Sequence, residues 1–186
     1  MRTTKMQLGD LEEKLIVGVI LSELKYSVKI NWKNNVDLSS LRAARLFQRA
    51  NAAAGMAIVQ DVSDRFRNEG APPAKWAPLQ PATIRARTQG KKKKSNAHLP
   101  VAKILQDSGD LAKSIQKGDK NNVTEVDSLH VLVGTRLKYG AVHQFGYSDR
   151  NIPQRQYIYP PDEIPELKKD IDEIYNTILK DYIGAK

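Results

Sequence analysis

Three histidines, His98, His130 and His143, are the groups best suited to acid–base work or metal binding in this 186-residue chain. A zinc or proton-transfer site gathers such groups at fixed spacing, as in H-x-x-x-H, with carboxylates at hand. Here they are scattered, and none stands at ligand spacing from a carboxylate. They predict no metal site, and His130, inside a predicted strand, reads as a structural histidine. Asp170 and Asp172 lie two apart on a predicted helix and so point to different faces. Ser108 and Ser114 read as turn and surface residues, because no G-x-S-x-G surrounds either. Neither a Walker loop nor G-x-G-x-x-G occurs. The absence of cysteine excludes disulfides, thiol catalysis and Cys-based metal centres. The expectation is a protein that is not an enzyme, with no catalytic, cofactor or metal residues.

Positive charge is the other chemical feature. The chain has 30 Lys and Arg against 21 Asp and Glu, a net charge of +9. Between Gly70 and Gln106 there is no acid, whereas Lys75, Arg85, Arg87, Lys91, Lys92, Lys93, Lys94 and Lys103 are all basic. With those set aside, the rest of the chain is close to neutral. Gln89 to Asn96 contains no hydrophobic residue and predicts an exposed, mobile loop over 88–99. Two readings stand for it: a solvated loop, or a contact with polyanions through Arg85, Arg87 and Lys91 to Lys94. Trp76 is the one aromatic nearby, so stacking on single-stranded bases is poorly supported. The longest apolar run, Leu15 to Leu21, falls well short of the ~20 residues of a bilayer span. Asp10, Glu12 and Glu13 sit where a signal peptide needs basic residues, so folding in a cytoplasm is expected.

The elements that must position these residues follow from hydrophobic spacing. Leu11, Leu15, Ile16, Val19, Ile20 and Leu24 predict a helix over Asp10–Leu24, although the β-branched run Ile16–Ile20 also admits a strand. Tyr26, Val28, Ile30 and Trp32 alternate as in a half-buried strand. Asp37 is placed to cap a helix from Leu38 to about Asn68, a rod of roughly 46 Å, closed by Gly70 and Pro72-Pro73. Its inner face is expected to hold Leu41, Ala44, Phe47, Ala54, Ile58, Val62 and Phe66. Arg42, Arg45, Arg49, Asp61, Asp64 and Arg65 are expected outside. The small residues Ala50 to Ala54 would let another backbone approach.

A short proline-led helix is expected over Pro81–Arg87, and strands over Val123–Val126 and Leu129–Thr135 form an antiparallel meander. Tyr139–Gly146 predicts a helical turn stopped by glycine, and Gln156–Tyr159 a further strand. Asp162 would cap a C-terminal helix with a seam of Ile164, Leu167, Ile171, Ile174, Ile178 and Tyr182 and an acidic outer face. The class is therefore α+β: a long central helix and a C-terminal amphipathic helix on a small antiparallel sheet, with an extended basic loop. One domain spans 1–186, with a variable segment at 1–36 and a core at 37–183.

Several motifs occur in a fixed order. Trp76-Ala77-Pro78-Leu79 with Thr83 comes first. Lys103-Ile104-Leu105, Ser108-Gly109-Asp110-Leu111 and Ser114-Ile115 follow. Then come Val133-Gly134-Thr135, Tyr139 to Gly146 with His143-Gln144-Phe145-Gly146, and finally Ile152-Pro153-Gln154-Arg155-Gln156-Tyr157. This succession, over roughly residues 38 to 182, resembles the phage virion morphogenesis family, the tail-completion proteins of Mu-like and related tailed phages. There the pattern runs W-x-P-L, L-x-x-T/S-G-x-L-x-x-S-I, V-G-T-x-x-x-Y-A-x-x-H-Q-F-G and I-P-A-R-P-F. This chain departs from it at Ser108, where Thr is common, at Gly140 before Ala141, and at Gln154 and Gln156 in place of Ala and Pro.

The resemblance implies a structural protein of the phage neck or tail end, acting in tail completion or head-to-tail joining. It also implies a ring of copies, six being the expectation, with other neck or tail proteins as partners and no cofactor. The basic loop would face packaged DNA or an acidic neighbour. From the residues themselves, Trp76 and Leu79 would anchor a loop, and Gly109 would permit a reversal before Leu111. Val142 and Phe145 would be buried. His143 and Gln144 would either face outward, bonding across a subunit boundary, or tie down a turn. Arg155, just after Pro153, would be an exposed pairing group. The competing class is a sequence-independent nucleic-acid-binding module.

Overall fold

The structure, a computed structural model, describes residues 17–20, 41–89 and 102–184, with side chains for 44–88 and 102–182. The predicted strand Tyr26–Trp32, the Asp37 cap and Lys91 to Lys94 lie outside the described residues. In chain order the elements are β1 (Val17–Ile20), α1 (Leu41–Asn68), β2 (Gly70–Ala71), β3 (Ala74–Lys75) and α2 (Pro81–Gln89). These are followed by α3 (Asp110–Ser114), β4 (Asn122–Val126), β5 (Val131–Thr135), α4 (Lys138–Phe145) and α5 (Pro165–Gly184). The class is α+β, as expected.

The helix expected over Asp10–Leu24 is overturned at residues 17–20, which are strand. Val17, Val19 and Ile20 are β-branched and Gly18 is a poor helix former, and β5 offers a ladder to join. The sheet has order β1-β5-β4, antiparallel throughout. Val17 pairs with Thr135 and Ile20 with Leu132; Asn122 pairs with Thr135 and Val126 with Val131. All five residues of the central strand β5 are buried.

The β4–β5 hairpin closes on Asp127, whose carboxylate accepts the backbone N–H groups of Leu129 at 2.6 Å and His130 at 2.8 Å. These N–H groups, with the nearby His130, hold the Asp127 carboxyl below its usual range. His130 precedes the strand and pairs with Asp127 through Nδ1 at 2.9 Å. It is a structural histidine with a carboxylate partner that spacing alone did not reveal.

Helix α1 is 28 residues long, about 42 Å. Leu46, Ala50, Ala54, Ile58, Val62 and Phe66 are buried at every fourth position. Each step of four turns the helix by about 40°, so this line winds round the rod. That winding lets α1 pack on both β5 and α5. Just after the small run Ala50 to Ala54, a Cβ on Gly55 would stand 2.9 Å from Val131 Cγ2, so the side chains of β5 press directly on α1. Large side chains such as Ile58 and Val62 each contribute about 1.5–3 kcal/mol of burial.

Arg65, expected outside, is buried. All three nitrogens of its guanidinium are bonded: Asp61 takes two bonds at 2.8 and 3.0 Å, and the carbonyls of Ala71 and Pro72 accept at 3.2 and 2.9 Å. Its remaining face lies 4.4 Å from the Tyr159 ring centroid. A buried charge is tolerable when it is paired and hydrogen-bonded in this way.

The seam of α5 is also shifted. Leu167, Ile171, Tyr175 and Leu179 are buried, while Ile174, Ile178 and Tyr182 are half-buried. The stripe follows the i+4 ridge that packs on α1, where the Tyr175 hydroxyl donates to Asn51 Oδ1. Asp162 is not the cap. It lies in a 3-10 turn, Pro161–Glu163, ahead of the helix, and its carboxylate bonds Lys168 Nζ at 2.9 Å.

Candidate functional site

The motif residues converge on one assembly of side chain to backbone bonds. Trp76 is buried; its indole N–H donates to Gln156 O at 2.8 Å, and its ring meets Phe66 edge-on at 5.4 Å. Leu79 packs half-buried against the core, so the expected anchor is present. Arg155 is buried, which corrects the expected exposed pairing group. Its Nε donates to Ala77 O at 2.9 Å and its Nη2 to Pro78 O at 3.1 Å. Two carbonyls of the Trp76–Pro78 turn thus satisfy the guanidinium, and the arginine clamps that turn to the chain after Pro153.

Gln144 is buried as well. Its Oε1 accepts the N–H groups of Tyr157 and Ile158 at 3.1 and 3.2 Å, and its Nε2 donates to Ile158 O at 2.6 Å. This amide supplies the partners that a strand neighbour would supply. Residues 156–159 accordingly join no sheet, which corrects the predicted strand. Of the two readings for Gln144, tying down the chain is the one observed. Phe145 was expected inside and is 53% exposed; Gln144 occupies the inward position in its place, because the backbone groups of 157–158 need a polar partner. Val142 is half-buried.

The departures from the family pattern join the same network. Gln154 Nε2 donates to Gln144 O at 3.1 Å, and Gln156 Nε2 to Ile158 O at 3.2 Å. Gly146 has φ 76°, and a Cβ there would stand 3.0 Å from Gln154 N, so glycine is required where α4 ends. Gly109, at φ 80°, makes the expected reversal into α3, and Leu111 behind it is buried. Gly134 lies in β5 between Gly18 and Val123. Thr135 Oγ1 donates to Ser114 Oγ at 2.7 Å and accepts Leu137 N–H at 3.1 Å. Ser114, expected at the surface, is therefore an internal tie.

His143 is half-buried, its Nδ1 buried without a hydrogen-bond partner among the described residues, with Tyr139 43% exposed and Phe145 exposed beside it. The Tyr139 and His143 rings meet edge-on at 6.3 Å. Burial lowers the His143 pKa, and the charges of Arg155 and Arg87 lower it further, so the imidazole is neutral. Burial, with Asp110 nearby, raises the Tyr139 pKa. Pro153 is exposed.

Of the residues expected to meet nucleic acid, Arg87 is half-buried and donates to Lys103 O at 2.8 Å, with Asp107 at 3.5 Å. Arg85 is exposed on α2. Among the described residues no three His, Asp or Glu side chains stand together to hold a metal. No helix there is long and apolar enough to cross a membrane.

Sequence reasoning missed Arg65, Asn51 and Tyr175 as internal polar ties. Asp61, four residues before Arg65, was the available signal for the first; nothing local announced the other two.

No curated protein and no solved structure matched the chain. The model of the phage virion morphogenesis family matches residues 37–180. That span contains the whole clamp of Trp76, Gln144 and Arg155, and the chain belongs to the phage virion morphogenesis family.

Proposed function

We propose that the protein completes the tail end of a tailed, Mu-like phage and joins head to tail at the neck. It acts as a ring-forming subunit, expected as six copies, and performs no chemical step. Family membership supports a structural role in the virion. The observation that carries the finer reading is the use made of the motif side chains. Trp76, Gln144 and Arg155 are spent on backbone groups of their own chain, so they build a rigid frame and present no reacting group. On that frame Ile84, Tyr139 and Phe145 stay exposed, and large apolar side chains at a surface suit protein contacts. The partners are other copies and other neck or tail proteins, met during assembly in the bacterial cytoplasm, with the lysine tract near packaged DNA.

The test is imaging of particles made without this protein. Filled heads and separate tails that fail to join are expected; normally joined virions overturn the reading. Salt-dependent DNA binding by the isolated protein, lost when Lys91 to Lys94 are neutralised, would instead favour the nucleic-acid-binding module.

A further inference from the structure

Helix α2 is the least accounted-for element of the fold. Isolated helices shorter than about 12–15 residues are marginal in water, and α2 has nine. Packing on its own core does not make up the difference: Pro81, Ala82, Ile84, Arg85, Ala86 and Thr88 are exposed, and Thr83 and Arg87 are half-buried. The anchor of Arg87 on Lys103 O and Asp107 holds one end and leaves the outer face, with Ile84 and Arg85, uncovered. That face is basic and apolar, and the described residues around it between 70 and 106 include no acid.

The complementary surface lies on α5. Glu166, Asp170, Ile174 and Ile178 recur every four residues and share one stripe. Glu166 and Asp170 are exposed and Ile174 and Ile178 half-buried. Neither Glu166 nor Asp170 has an ion-pair partner among the described residues, whereas the neighbouring Glu173 has Lys169 at 3.7 Å. Ile178 packs on the protein's own core, so the surface part of the stripe is Glu166 and Asp170 with Ile174 beside them, the counterpart of Arg85 beside Ile84.

We propose that α2 of one copy docks on the Glu166–Asp170–Ile174 stripe of a second copy. This rests on the reading of the chain as a self-assembling subunit, and names its faces. The two patches are different parts of the chain, so the contact runs head to tail and can repeat around an axis to close a ring. Arg85 meets Glu166 and Asp170, and Ile84 covers Ile174.

The test is sedimentation of the full chain at low and raised ionic strength, with R85E, D170K and the double variant R85E/D170K. Wild type should form a discrete oligomer at low salt that dissociates as salt rises. Each single reversal should weaken association about fivefold or more, and the double variant should recover it. Both substituted positions are exposed, and thermal unfolding checks that each variant folds. Recovery in the double variant cannot come from a folding defect. The inference is overturned by a wild type that stays monomeric at low salt, by an oligomer indifferent to both reversals, or by a double variant that fails to recover. It is equally overturned if R85E loses only DNA binding, or if the missing partner of α2 proves to be another segment of the same chain, with the reversals altering stability in the monomer. In each case joining of heads to tails in particles remains a separate readout of the proposed function.

Discussion

Gln144 and Ile158 are bonded in both directions: Oε1 accepts the Ile158 N–H at 3.2 Å, and Nε2 donates to the Ile158 carbonyl at 2.6 Å. One side chain amide thus replaces a strand edge, with the Tyr157 N–H sharing its oxygen. Q144L keeps most of the volume and leaves the buried N–H groups of Tyr157 and Ile158 unpaired, while the Ile158 carbonyl keeps Gln156 Nε2. At about 1–3 kcal/mol for each of these two groups, the loss should be about 2 kcal/mol or more, read as a lower denaturation midpoint. A loss below about 1 kcal/mol would show that these groups find other partners.

Arg155 holds the Trp76 turn through two carbonyls, Ala77 at 2.9 Å and Pro78 at 3.1 Å. Lysine is a point charge without the planar fork needed for both, so R155K should behave more like R155M than like wild type. Each charged hydrogen bond is worth about 1.5–3 kcal/mol. The local readout is indole fluorescence in a Trp32→Phe background, because the chain has two tryptophans. Emission should shift to the red in both variants as Trp76 gains access to water. An unshifted spectrum in R155M would separate the clamp from the anchor.

His143 links the frame to pH. Burial first, then the charges of Arg155 and Arg87, depress its folded pKa, while the unfolded value stays near about 6.5. The unfolded chain therefore binds the proton more readily. Stability from this group is fully present above the unfolded value and declines as pH falls through about 6.5 towards the depressed folded pKa. Thermal midpoints of wild type should drop between neutral and mildly acid pH more than those of H143Q, which cannot take up a proton. Parallel curves for the two proteins would remove His143 as the cause.

Much of this fold is written in local pattern. The burial of Ile58, Val62 and Phe66, the reversal at Gly109 and the β4–β5 meander follow from periodicity and turn residues. The misses share a different origin. Arg65 looks like an outer residue until the Ala71 and Pro72 carbonyls are brought round to it. Phe145 looks like core until the backbone at 157–158 claims the inward position for Gln144. Val17–Ile20 joins a strand more than 110 positions away along the chain, through pairs such as Val17 with Thr135. For Phe145 and Val17–Ile20 the deciding partner lies beyond the reach of helical or strand spacing. For Arg65 the partners are near in sequence, and the turn at Ala71 and Pro72 that brings them round is what spacing misses. Motif order located the residues of the clamp but not their roles, because a side chain spent on backbone groups and one offered to a partner look alike in sequence.

Gly140 and Tyr157 meet with no room for a side chain on the glycine. A Cβ at Gly140 would lie 2.7 Å from Tyr157 Oη, 3.0 Å from Thr135 Cγ2 and 3.3 Å from Leu111 Cδ1. The tyrosine ring is fully buried, so it cannot swing aside, and its hydroxyl has no hydrogen-bond partner among the described residues. Burial raises the Tyr157 pKa, and the hydroxyl stays protonated. Y157F should then be close to neutral or slightly stabilising, since it removes an unsatisfied group. G140A gains helix propensity of up to about 1 kcal/mol but forces α4 off the ring, at about 1–3 kcal/mol, and should be destabilised on balance. In G140A/Y157F the closest clash is gone while the propensity gain remains. The double-mutant cycle, measured by chemical denaturation, should therefore show a favourable coupling of about 1 kcal/mol or more. Simple additivity would mean that the contacts with Thr135 and Leu111, and not the hydroxyl, set the need for glycine at this position.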